Sequence, residues 1–414
     1  MRKIRNMKKN LLLASFALGL LPVFAQLPAP DKKLVAGFKK IFAESAEQYL
    51  FLSRHLPPDS FPKTFFPKTG RYEFSNSAWW CSGFYPGTLL YLYEQTGNRA
   101  LQTEAGRILQ VLEKEKTNTH THDLGFMMYC SFGNHNRIRP SEQDREILLT
   151  SARSLATRFN PAVGCIRSWD SKPGDFLVII DNMMNLELLF WATRVTGDSS
   201  FYRVAVTHAN TTMKNHFRAD HSSYHVINYD EQTGAVKEKR TAQGAANESA
   251  WARGQAWGLY GYTATYRDTR DPAYLEQAAA IADFLLTHPQ LPPDGIPYWD
   301  FNAPGIPNSL RDASAAAIMA SGLLELAHYV DADRGANYFR LAETIIRTLS
   351  GSSYRAAKGS NGGFIIQHGV GHHPQQTEVD VPLTYGDYYY IEAMIRYQRF
   401  RQLFPKPSSR SSAR

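Results

Sequence analysis

The feature that most constrains this chain is an alternation of two kinds of helical segment. Residues 181–193 and 313–327 are apolar or small on almost every side, the pattern of helices buried all round. Between such stretches lie amphipathic segments. Leu101, Ala105, Ile108, Leu109 and Leu112 recur at helical spacing with charged residues between them, and Leu275, Ala278, Ala279, Ala282 and Leu286 do the same after Asp271-Pro272. Short turns join the two kinds: Thr96-Gly97-Asn98, Thr196-Gly197-Asp198, Thr269-Arg270-Asp271 and Val330-Asp331-Ala332. Glycine after one helix and Asp or Asn before the next are the expected capping residues.

About a dozen helices in six hairpins follow from this pattern. Buried helices paired with amphipathic ones predict an all-α chain closed into two concentric rings, an (α/α)6 barrel; an irregular all-α domain is the alternative. Segments rich in Gly, Pro and aromatic residues precede the buried helices, at residues 79–86, 164–175, 224–248 and 292–309. A functional site is expected at that end, on loops carried by a rigid scaffold.

The ends of the chain read differently from its body. Arg2, Lys3, Arg5, Lys8 and Lys9 precede an apolar stretch over residues 11–23, and Val23-Phe24-Ala25 offers a cleavage site. Residues 1–25 are therefore expected to be a secretory signal, 26–405 the barrel domain and 406–414 a disordered Ser-rich tail. Export to the periplasm is the expected destination, with no membrane span in the mature chain. Five positive charges lie in the signal and three, Lys406, Arg410 and Arg414, in the tail. The formal charge of +8 thus vanishes over the body, which removes the basis for nucleic-acid binding. Cys81, Cys130 and Cys165 form neither a disulfide framework nor a zinc pattern, and read as small buried residues. The 22 Tyr and 7 Trp fill a large core or supply sugar platforms.

Two aspartates stand out as candidates for the chemistry. Asp181 follows Phe176-Leu177-Val178-Ile179-Ile180 and opens a buried helix, where desolvation raises a carboxyl pKa and suits it to proton donation. Asp123, in His120-Thr121-His122-Asp123-Leu124-Gly125-Phe126, again stands before an apolar helical run. Either could instead be a helix cap; together, at equivalent ends of neighbouring hairpins, they resemble a glycosidase acid/base pair. His120, His122 and Asp123 lack the further spaced ligands a metal site needs, and no cofactor is expected. In Trp251-Ala252-Arg253-Gly254-Gln255-Ala256-Trp257-Gly258, Arg253 and Trp257 share a helix face. They could grip a carboxylate and stack on a sugar, unless Arg253 is simply buried against an acid such as Glu248.

Five motifs in order resemble glycoside hydrolase family 88, the unsaturated glucuronyl hydrolases: Trp80-Cys81-Ser82-Gly83-Phe84-Tyr85-Pro86-Gly87, His122-Asp123-Leu124-Gly125-Phe126, Ile180-Asp181-Asn182-Met183-Met184-Asn185, the Trp251 to Gly258 segment, and Tyr385-Gly386-Asp387-Tyr388-Tyr389-Tyr390. The resemblance covers nearly all of the body. It implies the same barrel, Asp181 as general acid and then base, and Asp123 as the second required carboxylate. It also implies a substrate pocket lined by Trp80, His122, Trp169, His225, Gln243, Arg253 and Trp257. The implied reaction hydrates the C4=C5 double bond of an unsaturated uronic acid at the end of a small acidic oligosaccharide. The segment Gly369-Val370-Gly371-His372-His373-Pro374-Gln375-Gln376 departs from the form associated with unsulfated substrates. With Lys358, Ser360 and Asn361 it suggests sulfate contacts, and thus fragments of sulfated glycosaminoglycans. An unsaturated rhamnogalacturonyl hydrolase, a sugar epimerase on the same barrel and a non-catalytic glycan binder are the competing functions.

Overall fold

A computed structural model describes residues 27–403; the expected signal and tail lie outside them. Six inner segments form a closed ring: α2 (Phe84–Thr96), a π-helix (Gly125–Gly133) running into the short α4 (Asn134–Ile138), a 3-10 turn (Ile180–Asn185) running into α6 (Leu186–Thr196), α8 (Ala252–Thr269), α10 (Ala313–Leu326) and α12 (Thr384–Gln398). Each packs on the next, and α12 closes against α2. Outside them stand α1 (Lys32–Ser53), α3 (Arg99–Leu112), α5 (Glu142–Ala156), α7 (Ser199–His216), α9 (Pro272–Thr287) and α11 (Ala332–Ser350), with α13 (Phe400–Leu403) ending the described chain. This is the (α/α)6 barrel.

Composition explains which helices go inside. Every residue of α10 is buried, and its Ala, Ser and Gly residues let α8 and α12 approach from both sides. α3 buries Leu101, Ala105, Ile108, Leu109 and Leu112, the stripe expected of it. In α9 the stripe is rotated: Tyr274, Ala278, Ile281, Ala282 and Leu285 face inward, while Leu275 and Leu286 are only half-buried. The fully buried Tyr274 sets that rotation, its hydroxyl donating to Asn210 of α7 at 2.8 Å. The side chains of Asn98, Asp198, Asp271, Asp312 and Asp331 cap their helices, and Gly97 and Gly197 end α2 and α6 in the left-handed conformation.

The loops are more ordered than an all-α expectation implies. They hold four small antiparallel sheets: β1 (Phe61–Phe66) with β2 (Arg71–Ser75), β3 (Phe159–Asn160) with β4 (Cys165–Ile166), β5 (Asp175–Ile179) with β6 (Val226–Asp230) and β7 (Val236–Arg240), and β8 (Gly369–His372) with β9 (Thr377–Val381). β5 is the apolar run before Asp181. Buried and rich in β-branched residues, it pairs with β6 in register Ile179↔Val226, which brings His225 beside Asp181. Two glycines let the site-bearing segments meet. A Cβ on Gly83 would lie 2.1 Å from the Phe126 carbonyl oxygen, and one on Gly125 would lie 2.4 Å from Asn185 Cα. At the opposite end, buried Glu325 accepts from Arg267 and Arg396 at 3.2 and 3.1 Å, tying α8, α10 and α12 together.

Candidate active site

The loop end of the barrel holds a cleft of about 480 Å³. Asp123, Trp80, Trp169 and Gln243 line it directly, together with Thr121, Tyr385 and Glu378. Asp181, His122, His225, Arg253 and Trp257 stand in the layer behind. All nine residues expected from the sequence are thus at this end, in two tiers.

Asp181 lies in the first turn of the 3-10 segment and does not cap it. Its side chain is almost fully buried, and Oδ2 has no hydrogen-bond partner. Burial raises its pKa to about 7; the Arg253 charge opposes that rise and the Asp123 charge adds to it. The indole N–H of Trp257 faces the same carboxyl and favours its ionised form without closing a well-aligned hydrogen bond. Asp123 is also raised to about 7 by burial, against hydrogen bonding from Thr121 and Asn185. The Thr121 hydroxyl donates to Asp123 Oδ2 at 3.0 Å. Two neighbouring carboxyls whose ionisation is coupled titrate as a pair around neutrality.

Two histidines have tautomers fixed by their partners. His122 Nδ1 donates to the Ser168 carbonyl at 2.9 Å, so its Nε2 lone pair faces Asp123 Oδ1 at 3.2 Å. Burial holds this imidazole neutral, with a pKa of about 3. A protonated Asp123 is the form that can meet that lone pair. His225 is the converse: Nδ1 accepts from the backbone N–H groups of Ala242 and Gln243, both at 3.2 Å. Its Nε2–H therefore points toward Asp181 Oδ2, 3.8 Å away. The ring is held between Trp251 and Trp169, and burial keeps it neutral. Arg158 fixes the loops beneath, donating to the carbonyls of Thr119, Arg167 and Ser168.

The Arg253 and Trp257 roles read from the sequence change. The Arg253 guanidinium is buried against Asp312, not Glu248, which is exposed and pairs with Arg218 and Tyr224. It donates to Asp312 Oδ2 at 3.1 Å and to the carbonyls of Val370 and Gly371, between the rings of Trp251 and Tyr385. Arg253 therefore anchors β8 and lends Asp181 a positive field. Trp257 is fully buried against Phe126 and Tyr389 and offers no face to a sugar. The sulfate contacts divide likewise. His372 and Gln375 line the cleft, and His373 stacks on Trp299. Lys358 pairs with Glu47 of α1, Asn361 is buried and donates to the carbonyls of Phe364 and Ile366, and Ser360 bonds within its own turn; none of these three lines the cleft. Cys81 and Cys165 are buried and Cys130 half-buried, all three free. His120 is exposed while His122 is buried, so the two diverge; among the described residues no group of three or more His, Cys, Asp or Glu side chains gathers as metal ligands. Among the same residues no helix is long and apolar enough to cross a membrane.

No family model matches the chain. It is, however, 48% identical over 322 residues to an unsaturated glucuronyl hydrolase of Formosa agariphila, covering 77% of this chain and 80% of that protein. The chain belongs to the unsaturated glucuronyl hydrolases. A solved unsaturated glucuronyl hydrolase specific for heparin matches it with a TM-score of 0.86 at 45% identity, over 91% of this chain and 100% of that one. A variant of the unsaturated glucuronyl hydrolase of Streptococcus agalactiae, complexed with dGlcA-GalNAc6S, matches with a TM-score of 0.76 at 28% identity, over 91% and 94%. As an unsaturated glucuronyl hydrolase the chain is a glycosidase.

Several site residues of this unsaturated glucuronyl hydrolase escape a reading of the sequence. Asn185, which solvates Asp123, sits inside the quoted Asp181 motif, four residues on. Asp312 is legible as a helix cap but not as the partner of Arg253. Lys63 and Glu378 reach the cleft on β1 and β9 and carry no local signal, while Trp79 reaches it from the segment expected to bear the site without being singled out there.

Proposed function

We propose that this chain removes the unsaturated uronic acid from lyase-made fragments of sulfated glycosaminoglycans, with Asp181 moving the proton. Asp181, protonated near neutral pH, donates to C4 of the C4=C5 enol ether. Positive charge then develops on C5 and is shared with the ring oxygen. The resulting carboxylate takes a proton from water as its oxygen bonds to C5. The hemiketal so formed opens to a C5 ketone, and the hemiacetal left at C1 releases the remaining sugar. His225 Nε2–H and the Trp257 indole N–H face the carboxylate form, and Arg253 supplies a fixed positive field. Asp123, raised to about 7 by the same burial, titrates with Asp181, and its charge, where it ionises, opposes ionisation of Asp181 and keeps the acid form available.

The observation that carries this assignment is the buried, unpartnered Oδ2 of Asp181 with its pKa near 7, a carboxyl able to give and take a proton at one pH. The heparin-specific relative and the one holding a sulfated amino-sugar disaccharide support the substrate class. His372 and Gln375 on the cleft wall, with Lys63 at its lip, are donors available to a sulfate. The enzyme should erase the ultraviolet absorbance of unsaturated heparin or chondroitin disaccharides, and a panel differing only in sulfation ranks its substrates. Unchanged absorbance across the panel rejects the activity. Export to the periplasm is part of the same proposal, and a mature N-terminus at Gln26 tests it.

A further inference from the structure

We propose that the cleft continues across Trp79 into a second hollow that holds the third sugar of a longer unsaturated oligosaccharide, so that the enzyme reads chain length beyond the disaccharide. This rests on the activity proposed above and deepens it. The second hollow, about 390 Å³, adjoins the cleft and shares two lining residues with it, Lys63 and Trp79. Together these form the divide between the two spaces.

Trp79 is built unlike its neighbour. Trp80 packs its ring on Tyr385 and Phe126 inside the barrel mouth. Trp79 stands out at 37% exposure, and among the described residues Val236 is the only other large apolar side chain left so open. Its mount is fixed: Trp79 N–H donates to the Asn76 carbonyl, Ser82 N–H donates to the Trp79 carbonyl, and the Asn76 side chain accepts from Ala78 N–H. An exposed indole on a rigid turn, at the lip of a polar cleft, is a platform for the apolar face of a pyranose.

Lys63 stands over that indole, with Nζ 4.9 Å from the ring centroid, 2.6 Å from Glu73 and 3.7 Å from Glu378. It is the only Lys or Arg among the described residues that line either space. Beyond it, Ser60, Ser75 and Asn76 offer hydroxyl and amide groups suited to sugar hydroxyls. Glycosaminoglycans alternate uronic acid with amino sugar, so the third residue of a fragment carries a carboxylate. At the divide the Lys63 ammonium, shared between Glu73 and Glu378, exchanges part of that pairing for the arriving carboxylate, and Asp59 and Glu73 on the far side discourage further anionic groups.

The test compares kcat/KM for an unsaturated disaccharide and a tetrasaccharide of the same backbone, in the wild type and in Trp79→Ala, Trp79→Phe and Lys63→Met. Trp79→Ala should lower the tetrasaccharide-to-disaccharide ratio of kcat/KM about 3- to 10-fold, mainly through KM, and Trp79→Phe should restore most of it. Lys63→Met should lower the same ratio, but not for a tetrasaccharide whose third-sugar carboxylate has been reduced to an alcohol. Equal losses on both substrates in Trp79→Ala, or a Lys63→Met effect indifferent to that carboxylate, overturn the proposal. A wild type that consumes neither substrate removes the activity itself, a separate failure.

Discussion

Replacing Asp181 by Asn should abolish turnover and yet stabilise the fold, by an amount that depends on pH in a set direction. The carboxyl titrates near 7 in the folded protein against 3.8 ordinarily, because burial penalises its charge. Below pH ~4 both folded and unfolded chains hold the proton, and the group contributes no difference. Between about 4 and 7 the unfolded chain releases the proton while the folded chain keeps it, so stability falls as pH rises. Each pH unit of that window is worth about 1.4 kcal/mol, which sets an upper limit of about 4 kcal/mol at pH 8. Asp123 shares the penalty, so the portion removed with Asp181 is smaller, on the order of 2 to 4 kcal/mol. Asn fills the same space and has no proton to lose. Urea unfolding of both proteins at pH 5, 6, 7 and 8 should show the variant gaining steadily on the wild type up to pH 7 and then holding its lead. A difference that is flat with pH, or a variant that loses ground as pH rises, would mean that the carboxylate is comfortable as an anion, and the reasoning would be wrong.

Other outcomes follow from the same geometry. For the wild type, kcat/KM should fall about tenfold per pH unit above pH ~7, as the acid form of Asp181 is lost. Asp123→Asn removes a charge that raises the Asp181 pKa, so this alkaline limb should move to lower pH while turnover drops; a limb that stays in place contradicts the coupling. Arg253→Met strands the buried Asp312 carboxylate and the Val370 and Gly371 carbonyls, and should cost about 3–5 kcal/mol in denaturant unfolding, beyond any loss of substrate affinity. Glu325→Ala leaves Arg267 and Arg396 short of a buried partner far from the cleft, so it should lower the unfolding midpoint sharply while kcat of the surviving folded fraction stays near normal.

Much of this protein can be read from its sequence because the barrel is built from local rules. The all-apolar pattern of α10 and the one-sided pattern of α3 state inside and outside directly, and Gly97, Asn98, Gly197 and Asp198 mark two hairpin turns with their own side chains or φ angles. Asp181 and Asp123 are legible because each ends a loop against a buried helix, where desolvation is certain. What the sequence hides is pairing across the ring. Arg253 on α8 meets Asp312 at the start of α10 and the carbonyls of β8, partners 59 to 118 positions away. Its helix spacing with Trp257 suggests a shared substrate face, but Trp257 is buried in the barrel interior between Phe126 and Tyr389, and Arg253 is engaged by Asp312 and β8. The small sheets are hidden for a similar reason: strands of two to six residues draw most of their stability from distant partners, as β5 does from β6. Lys63 and Trp79 look like any surface lysine and tryptophan until β1, β9 and the turn before α2 converge.

The central claim is that one buried carboxyl moves the proton, and the most direct measurement is the turnover of Asp181→Asn on a saturating unsaturated disaccharide, followed by loss of enol-ether absorbance at pH 6. With binding and folding intact, kcat should fall by at least about 10² to 10⁴-fold. Turnover within a few-fold of the wild type would contradict the account.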